Sequence, residues 1–550
     1  MRTRNVVLAA LLLAAGQLAP AAELTVLFTS DMHARVLPYD DVRQRPGRGS
    51  LAQVKSYVDA IRAEVDNLLM LDGGDALQGT PLAHYALATP LGDGQDPTIA
   101  AMNLIGYDAA VLGNHEFNFG LDVLRRSLGQ ARFPWLAANL EGAQRERLPV
   151  YPHLLLKRGN VRIAVLGLTN PNIPHWDPPS HLGSLAFGDP VEAAAVQVAA
   201  LRARADIVIV LLHSGFERNL ATGEPDGSDY ENFAWRVAHV PGIDLLLTGH
   251  THEDIPPRRL GDTIVAQPGR WAEMVTRIDL VLGKRSGRWR IVSWRGANVP
   301  MASQPADPAV AAAVERLQAR VAAELARVVG ELREPLVLGG VPTRDDAAVD
   351  LVHAVQLEVT GAQLSLAAPL AAARQEVPAG PLPVRAMHAL YPYPNTVLMV
   401  EVTGAQLRDI VEHAVRGWEG LDCARPQGCT LLRDPRVPYY SFDTLQGATY
   451  FVNPLAPVGQ RVYGLRVGGA AVDPAATYTL AVNSYRAVGG GNFPHLLQAR
   501  RLKEVTRPMV ELLVEHVARL GSVALRADDN WAFAIPLAEA AARPAGPAQQ

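Results

Sequence analysis

The sequence is short of cysteine, of surplus charge and of long apolar stretches, and each shortage closes off a class of protein. The formal net charge is only −4 over 550 residues. No basic footprint exists for a nucleic-acid polymer to bind. Beyond the N-terminus no apolar run is long enough to cross a bilayer, and no internal repeat is visible. The two cysteines, Cys423 and Cys429, sit in the loop-like stretch LDCARPQGCT. No histidine or further cysteine flanks them, so they do not read as a metal site.

What is present begins with a processing signal. Arg2 and Arg4 precede VVLAALLLAAG, and the small-residue stretch APAA ends at Ala21 or Ala22. This predicts a cleaved export signal over residues 1–22, too short for a membrane anchor and with no cysteine for lipid attachment. The expected destination is the periplasm, with no membrane association after cleavage. An oxidising compartment favours a Cys423–Cys429 disulfide over two free thiols.

With 49% hydrophobic and 19% charged residues, the mature chain reads as globular, and its length calls for two or more domains. Strand-like and helix-like segments alternate over residues 23–305, as in a layered α/β domain. The Ala-rich stretch 306–330, opened by Asp307-Pro308, predicts a helical connector. Residues 331–536 mix helices such as AAVDLVHAVQLEV with strands such as NTVLMVEVTG and TYTLAVNS, an α+β pattern. The Ala- and Pro-rich tail 537–550 is expected to be disordered.

Five apolar runs in the first half each end in polar residues suited to metal binding. LTVLFT ends in Ser30-Asp31-Met32-His33, NLLML in Asp72-Gly73-Gly74-Asp75, and DAAVL in Gly113-Asn114-His115-Glu116. ADIVIVLL ends in His213, and IDLLLT in Gly249-His250-Thr251-His252. Five such endings predict one site at one edge of a sheet. Strand alternation would put Asp31 with His33, and His250 with His252, on one side. With Asp75, Asn114 and His213 these make seven ligands, enough for two divalent ions if a carboxylate bridges them. The mixture of imidazole, carboxylate and amide suits zinc, manganese, iron or cobalt better than magnesium or calcium. Two ions roughly 3.5–4 Å apart are a site for phosphoryl transfer. His115 follows Asn114 directly and points away from the metal that Asn114 binds. It is left to bond the phosphate or protonate the leaving oxygen.

The ordered blocks D-x-H, G-D, G-N-H-E, an isolated His and G-H-x-H resemble those of the calcineurin-like metallophosphoesterases. That resemblance implies a layered β-sandwich flanked by helices. It assigns one metal to Asp31, His33, Asp75 and His252, and the other to Asp75, Asn114, His213 and His250. Asp75 would be the bridge, and His115, beside Asn114, the catalytic histidine. The second half is similar to the C-terminal domain of the 5′-nucleotidase family. GNHEFNFG, WDPPSHLG, AAPLAAAR, PAGPLPVR, LYPYPNT, YYSFDTLQGATY, NSYRAVGGGNFP and ADDNWAF resemble its periplasmic cyclic-phosphodiesterase/3′-nucleotidase branch. Two departures fit that branch. Asn118 stands where the 5′-nucleotidases place an Asp beside the catalytic histidine, and Ala367-Ala368-Pro369 occupies the region of their N-G-G-x-R pattern.

The resemblance implies nucleotide substrates, with the base held between two aromatic rings of the second domain. The matching positions are Tyr393 and Phe493, both in Pro- or Gly-rich loops, with Tyr485 and Tyr391 as fallbacks. A rotation of the second domain about the connector is the expected route for substrate entry. The implied activity opens 2′,3′-cyclic nucleotides to 3′-nucleotides and then releases phosphate, with a monomer favoured. The alternatives are a 5′-nucleotidase or UDP-sugar hydrolase of the same fold, a thiosulfate-oxidation enzyme, or a non-catalytic binding protein.

Overall fold

The computed structural model describes residues 21–89, 94–371, 374–423 and 429–534. The export signal and the tail therefore lie outside the described residues, except for Ala21 and Ala22. These two form the first rungs of strand Ala21–Thr29, opposite Gly283 and Leu282. Among the described residues no helix is long and apolar enough to cross a membrane.

Two sheets stack face to face in the first half. One runs Arg288–Pro300, Met274–Arg285, Ala21–Thr29, Leu68–Asp72, Ala109–Val111, Trp135–Leu136, Val150–Tyr151. The other runs Asp254–Leu260, Thr263–Pro268, Leu245–Thr248, Ile207–Leu212, Val161–Leu168, His153–Arg158. Alternation along the strands builds three apolar layers. Leu24, Val26, Phe28, Leu69, Leu71, Ile209 and Leu247 fill the space between the sheets. Their neighbours Leu27 and Met70 pack on the outer helices of the first sheet, and Val208, Val210 and Leu246 on those of the second. This explains why the runs read as continuously apolar: both faces are covered.

The connector helix spans Pro308–Ala326, with the Asp307 carboxylate capping the N–H groups of Ala309 and Val310. It ends earlier than the sequence suggests. The β-branched pair Val328-Val329 goes instead into strand Val328–Leu332, paired with Gly380–Pro383. Val310, Val314, Val321 and Leu325 of the helix belong to an apolar core that includes Leu51 and Ile99 of the first half and Leu382 and Met387 of the second. The expected rotation would have to reshape this shared packing.

The second half is α+β. Its central sheet runs Thr444–Gln446, Leu364–Ala367, Thr477–Asn483, Val397–Thr403, Arg500–Val505. Helix Ala347–Thr360 and helix Gly404–Ala414 pack beside it, the latter opened by a capping box between Thr403 and Gln406. Cys423 and Cys429 form a disulfide at the end of the hairpin made by Trp418–Asp422 and Thr430–Arg433.

Candidate active site

The strands that precede the five polar blocks run parallel within each sheet, and contacts such as His213 to Gly73 and His250 to Asp31 bring all five blocks to one edge of the sandwich. Asp31, His33, Asp75, Asn114, His115, His213, His250 and His252 all meet there. The mechanism differs from the strand alternation expected. Strand Ala21–Thr29 stops before Asp31, and strand Leu245–Thr248 before His250. These side chains are aimed by left-handed turns: φ is +53° at Asp31, +48° at His33, +55° at Asp75, +77° at His250 and +61° at His252. Such backbone is unfavourable for residues with a Cβ, and its concentration at one point marks a functional site. The turns also pack tightly. A Cβ on Gly113 would lie 2.3 Å from the Asp75 carboxylate, and one on Gly249 2.1 Å from Ser30 Oγ.

Hydrogen bonds on the outside of the cluster fix which nitrogen of each ring faces inward. His33 Nδ1 donates to the Gln78 carbonyl at 3.0 Å, so Nε2 carries the lone pair. His213 Nδ1 donates to the Gly73 carbonyl at 2.7 Å. His250 Nε2 donates to Glu231 Oε1 at 2.9 Å, leaving Nδ1 inward. The inward atoms then converge on one another. His213 Nε2 lies 3.1 Å from Asp75 Oδ2 and 3.1 Å from Asn114 Oδ1. His250 Nδ1 lies 3.0 Å from Asn114 Oδ1. His33 Nε2 lies 2.9 Å from His252 Nε2, and His252 Nε2 lies 3.5 Å from Asp31 Oδ1. His250 Nδ1 and Asn114 Oδ1 meet acceptor against acceptor, and so many imidazole, carboxylate and amide groups around one space make it a place for cations. Asp31, His33 and His252 form one group with ligand atoms within 4.8 Å of one another, and Asp75, His213 and His250 form another. The donor set fits divalent ions. His252 is the exception in its outer bond, since its Nδ1 faces the Arg270 guanidinium at 3.2 Å.

The electrostatics agree. Burial pushes the Asp31 carboxyl up to about 6 and the His33 imidazole down to about 3. Burial also opposes charge on His213, yet Asp75 and Asp31 raise it to about 10. Without metal, a proton on His213 supplies the positive charge that Asp75 demands. An ion bound there would take its place.

Three features of this region escape the sequence reading. Glu116 is buried, and its carboxylate accepts from the backbone N–H groups of Asp75, Ala76, Leu77 and Gly113 at 2.6–3.1 Å. It ties the loop of Asp75 to that of Gly113. Trp176 stacks on His250, with centroids 5.0 Å apart at 30°. Glu231 holds the outer nitrogen of His250, as described above. Only its neighbourhood in space reveals it, because it lies in a loop far from any ligand block. Glu231→Ala is expected to weaken divalent-ion binding at the His250 group by about 10–100-fold. Glu231→Gln should lose less, since an amide oxygen still accepts. Competition with a chelating dye measures both.

Across from the cluster stand aromatic side chains of the second half. Tyr440 lies among Tyr393, Tyr439, Tyr485 and Glu231, and Arg270 has Tyr393, Tyr439 and Asp31 as charged or polar neighbours. The Tyr230 hydroxyl bonds the Asn492 side chain across the two halves. Tyr393 and Tyr485 are half-buried. Phe493 departs from expectation: it is 4% exposed and belongs to the second-half core. The left-handed Gly489 and Gly491 fold its loop inward, where the ring meets His413 at 4.6 Å and the Arg486 guanidinium at 4.5 Å. Tyr391 is buried as well.

Comparison with known proteins follows these lines. Residues 24–254 match the family described as calcineurin-like phosphoesterase, and residues 328–498 match the 5′-nucleotidase C-terminal domain. A 2′,3′-cyclic-nucleotide 2′-phosphodiesterase/3′-nucleotidase of Salmonella typhimurium is 28% identical, over 96% of this chain and 91% of its own. Protein UshA of Escherichia coli is 27% identical, over 86% and 87%. The crystal structure of a putative 5′-nucleotidase from Staphylococcus aureus superposes with a TM-score of 0.83 at 26% identity, covering 93% of this chain and 100% of that one.

Proposed function

For a chain that joins a calcineurin-like phosphoesterase domain to a 5′-nucleotidase C-terminal domain, and so is a phosphoester hydrolase, we propose a two-step nucleotide chemistry at a dinuclear centre. The enzyme opens 2′,3′-cyclic nucleotides to 3′-nucleotides and then hydrolyses these to nucleoside and phosphate, in the periplasm. The observation that carries this reading is the convergence of six inward-facing side chains on Asp75, opposite a tyrosine-lined wall.

Asp31, His33, Asp75 and His252 would hold one divalent ion, and Asp75, Asn114, His213 and His250 the other. When bound, such a pair lowers the pKa of a water between them and neutralises phosphate oxygens. The chain's own groups do the rest. Asp75 anchors both halves of the donor set, with its Oδ1 accepting from the His115 backbone N–H at 2.7 Å. His115 Nε2 faces the same carboxylate at 3.9 Å. There it is placed to protonate the departing ribose oxygen. Both esters need the same functions, so two poses of one nucleotide suffice.

The experiment is phosphate release from 2′,3′-cyclic AMP, 3′-AMP, 5′-AMP and UDP-glucose after loading with manganese, cobalt or zinc. Hydrolysis of the first two supports the reading. Preference for the last two supports the 5′-nucleotidase alternative, to which the similarity to the putative 5′-nucleotidase of Staphylococcus aureus also points. For base recognition, Tyr393 and Tyr485 are the rings that carry the proposal. Tyr393→Ala is expected to raise KM for 3′-AMP roughly 5–100-fold, the worth of one base stacked on an aromatic. KM for 4-nitrophenyl phosphate, which has no base, should stay within about twofold.

A further inference from the structure

The amide at position 118 is not left to choose its own orientation. Asn118 Oδ1 lies 2.6 Å from His115 Nδ1. Its Nδ2 donates to both oxygens of Asp177, at 3.2 and 3.0 Å. Asp177 is 2% exposed, and its Oδ1 lies 3.1 Å from His181 Nδ1, one helical turn further along. The Asp177 backbone N–H is itself tied to the Ile173 carbonyl at 3.0 Å. Trp176, the preceding residue, stacks on His250. The WDPPSHLG turn thus touches both the ligand set and the support of His115.

The chemistry of this chain follows from what each group is able to donate. A carboxylate only accepts, so the end of Asn118 that faces Asp177 must be the NH2 end. Reversing the amide would set its carbonyl oxygen about 3 Å from the carboxylate, acceptor against acceptor. The carbonyl therefore faces His115, and a carbonyl admits only the tautomer with hydrogen on Nδ1. Nε2 is left toward Asp75 and the reaction space, and the proton given to the leaving oxygen is the one Nε2 carries when the ring is doubly protonated, with Nδ1–H kept on the amide carbonyl. An amide conducts no proton, so the chain transmits orientation and dipole but not charge. We propose that Asp177, held by His181, is a positioning residue that fixes the tautomer of His115 through Asn118. It does at one remove what a carboxylate at 118 would do directly. This deepens the reading of His115 given above and rests on it.

The test uses metal-loaded full-length enzyme and two kinds of ester. The alcohol leaving from 3′-AMP needs a proton, whereas nitrophenolate leaves without one. Asp177→Asn, which keeps the shape but frees the amide to turn, should lower kcat on 3′-AMP by about 10²-fold or more with KM little changed. kcat on 4-nitrophenyl phosphate should change by less than about threefold. Asn118→Asp alone sets two carboxylates together and should also fail. The double variant Asn118→Asp/Asp177→Asn restores one acceptor and one donor, and should recover at least about tenfold over either single change. If Asp177→Asn does not fold, His181→Ala at the half-buried end should show the same ester selectivity at roughly tenfold. Equal losses on both esters, or a double variant no better than the singles, overturn the proposal. If the wild-type enzyme rejects every nucleotide, the substrate reading fails by itself. Glycerol 2-phosphate then replaces 3′-AMP as the alkyl ester, and the same two outcomes decide.

Discussion

Asp75→Asn is expected to empty both halves of the donor cluster and to reduce phosphate release by about 10⁴-fold or more. The side chain is 1% exposed and stands at the centre of the site. Its Oδ2 faces His213 Nε2 at 3.1 Å and its Oδ1 holds the His115 N–H at 2.7 Å. An amide there lacks the negative charge that makes a cation welcome between His213 and His33. Asp31→Asn should be milder in metal stoichiometry, since Asp31 serves one group only, although it also holds the His250 N–H at 3.0 Å. Elemental analysis of the purified variants, together with phosphate release, separates the two. An Asp75→Asn protein that keeps two tightly bound ions would remove the bridging role from consideration.

Arg486→Met is expected to destabilise the fold by about 3–5 kcal/mol, read as a lower urea midpoint. Arg486 is 1% exposed. Its guanidinium pairs with both oxygens of Asp443 at 3.1 and 2.8 Å, and donates to the carbonyls of Gly490 and Tyr440. Removing the arginine leaves the Asp443 carboxylate buried without its partner, and this accounts for most of the loss. The same cation spans the loops that carry Tyr440 and Gly490, so catalysis should weaken at temperatures where the variant is still folded. Asp443→Asn should cost less, because an amide carbonyl still accepts from Arg486.

Of the site, the convergence of these side chains was legible because strand ends announce themselves: a long apolar run, then an abrupt polar residue. Asp72 and Asp75 show where that reading needs help. Both follow the run NLLML. Asp72 turns back toward Thr29 Oγ1 at 2.8 Å, and burial raises its carboxyl well above the usual range. Asp75 alone reaches the cluster, through a left-handed turn that no periodicity encodes. The supporting groups were less legible. Glu231 and Asp177 act on residues 19 and 59 positions away. Their importance lies in a contact, which a single sequence does not display. Phe493 was misjudged for a related reason. A glycine-rich loop indicates freedom to turn, but not in which direction. The connector was anticipated within a few residues, since an Asp-Pro start and an apolar stripe are local signals.

The unbroken apolar layer through Pro308–Ala326 has a bearing on how such an enzyme is able to change over generations. Val310 and Leu325 are sheltered by residues from both halves. Severing the chain near Arg327 would strand greasy surface on each fragment, so neither piece is an independent building block. Exchanging the second half for another would require its helix-facing side chains to be refitted at the same time. On the proposed role of Tyr393 and Tyr485, substrate preference is therefore easier to alter by editing their loops than by swapping domains.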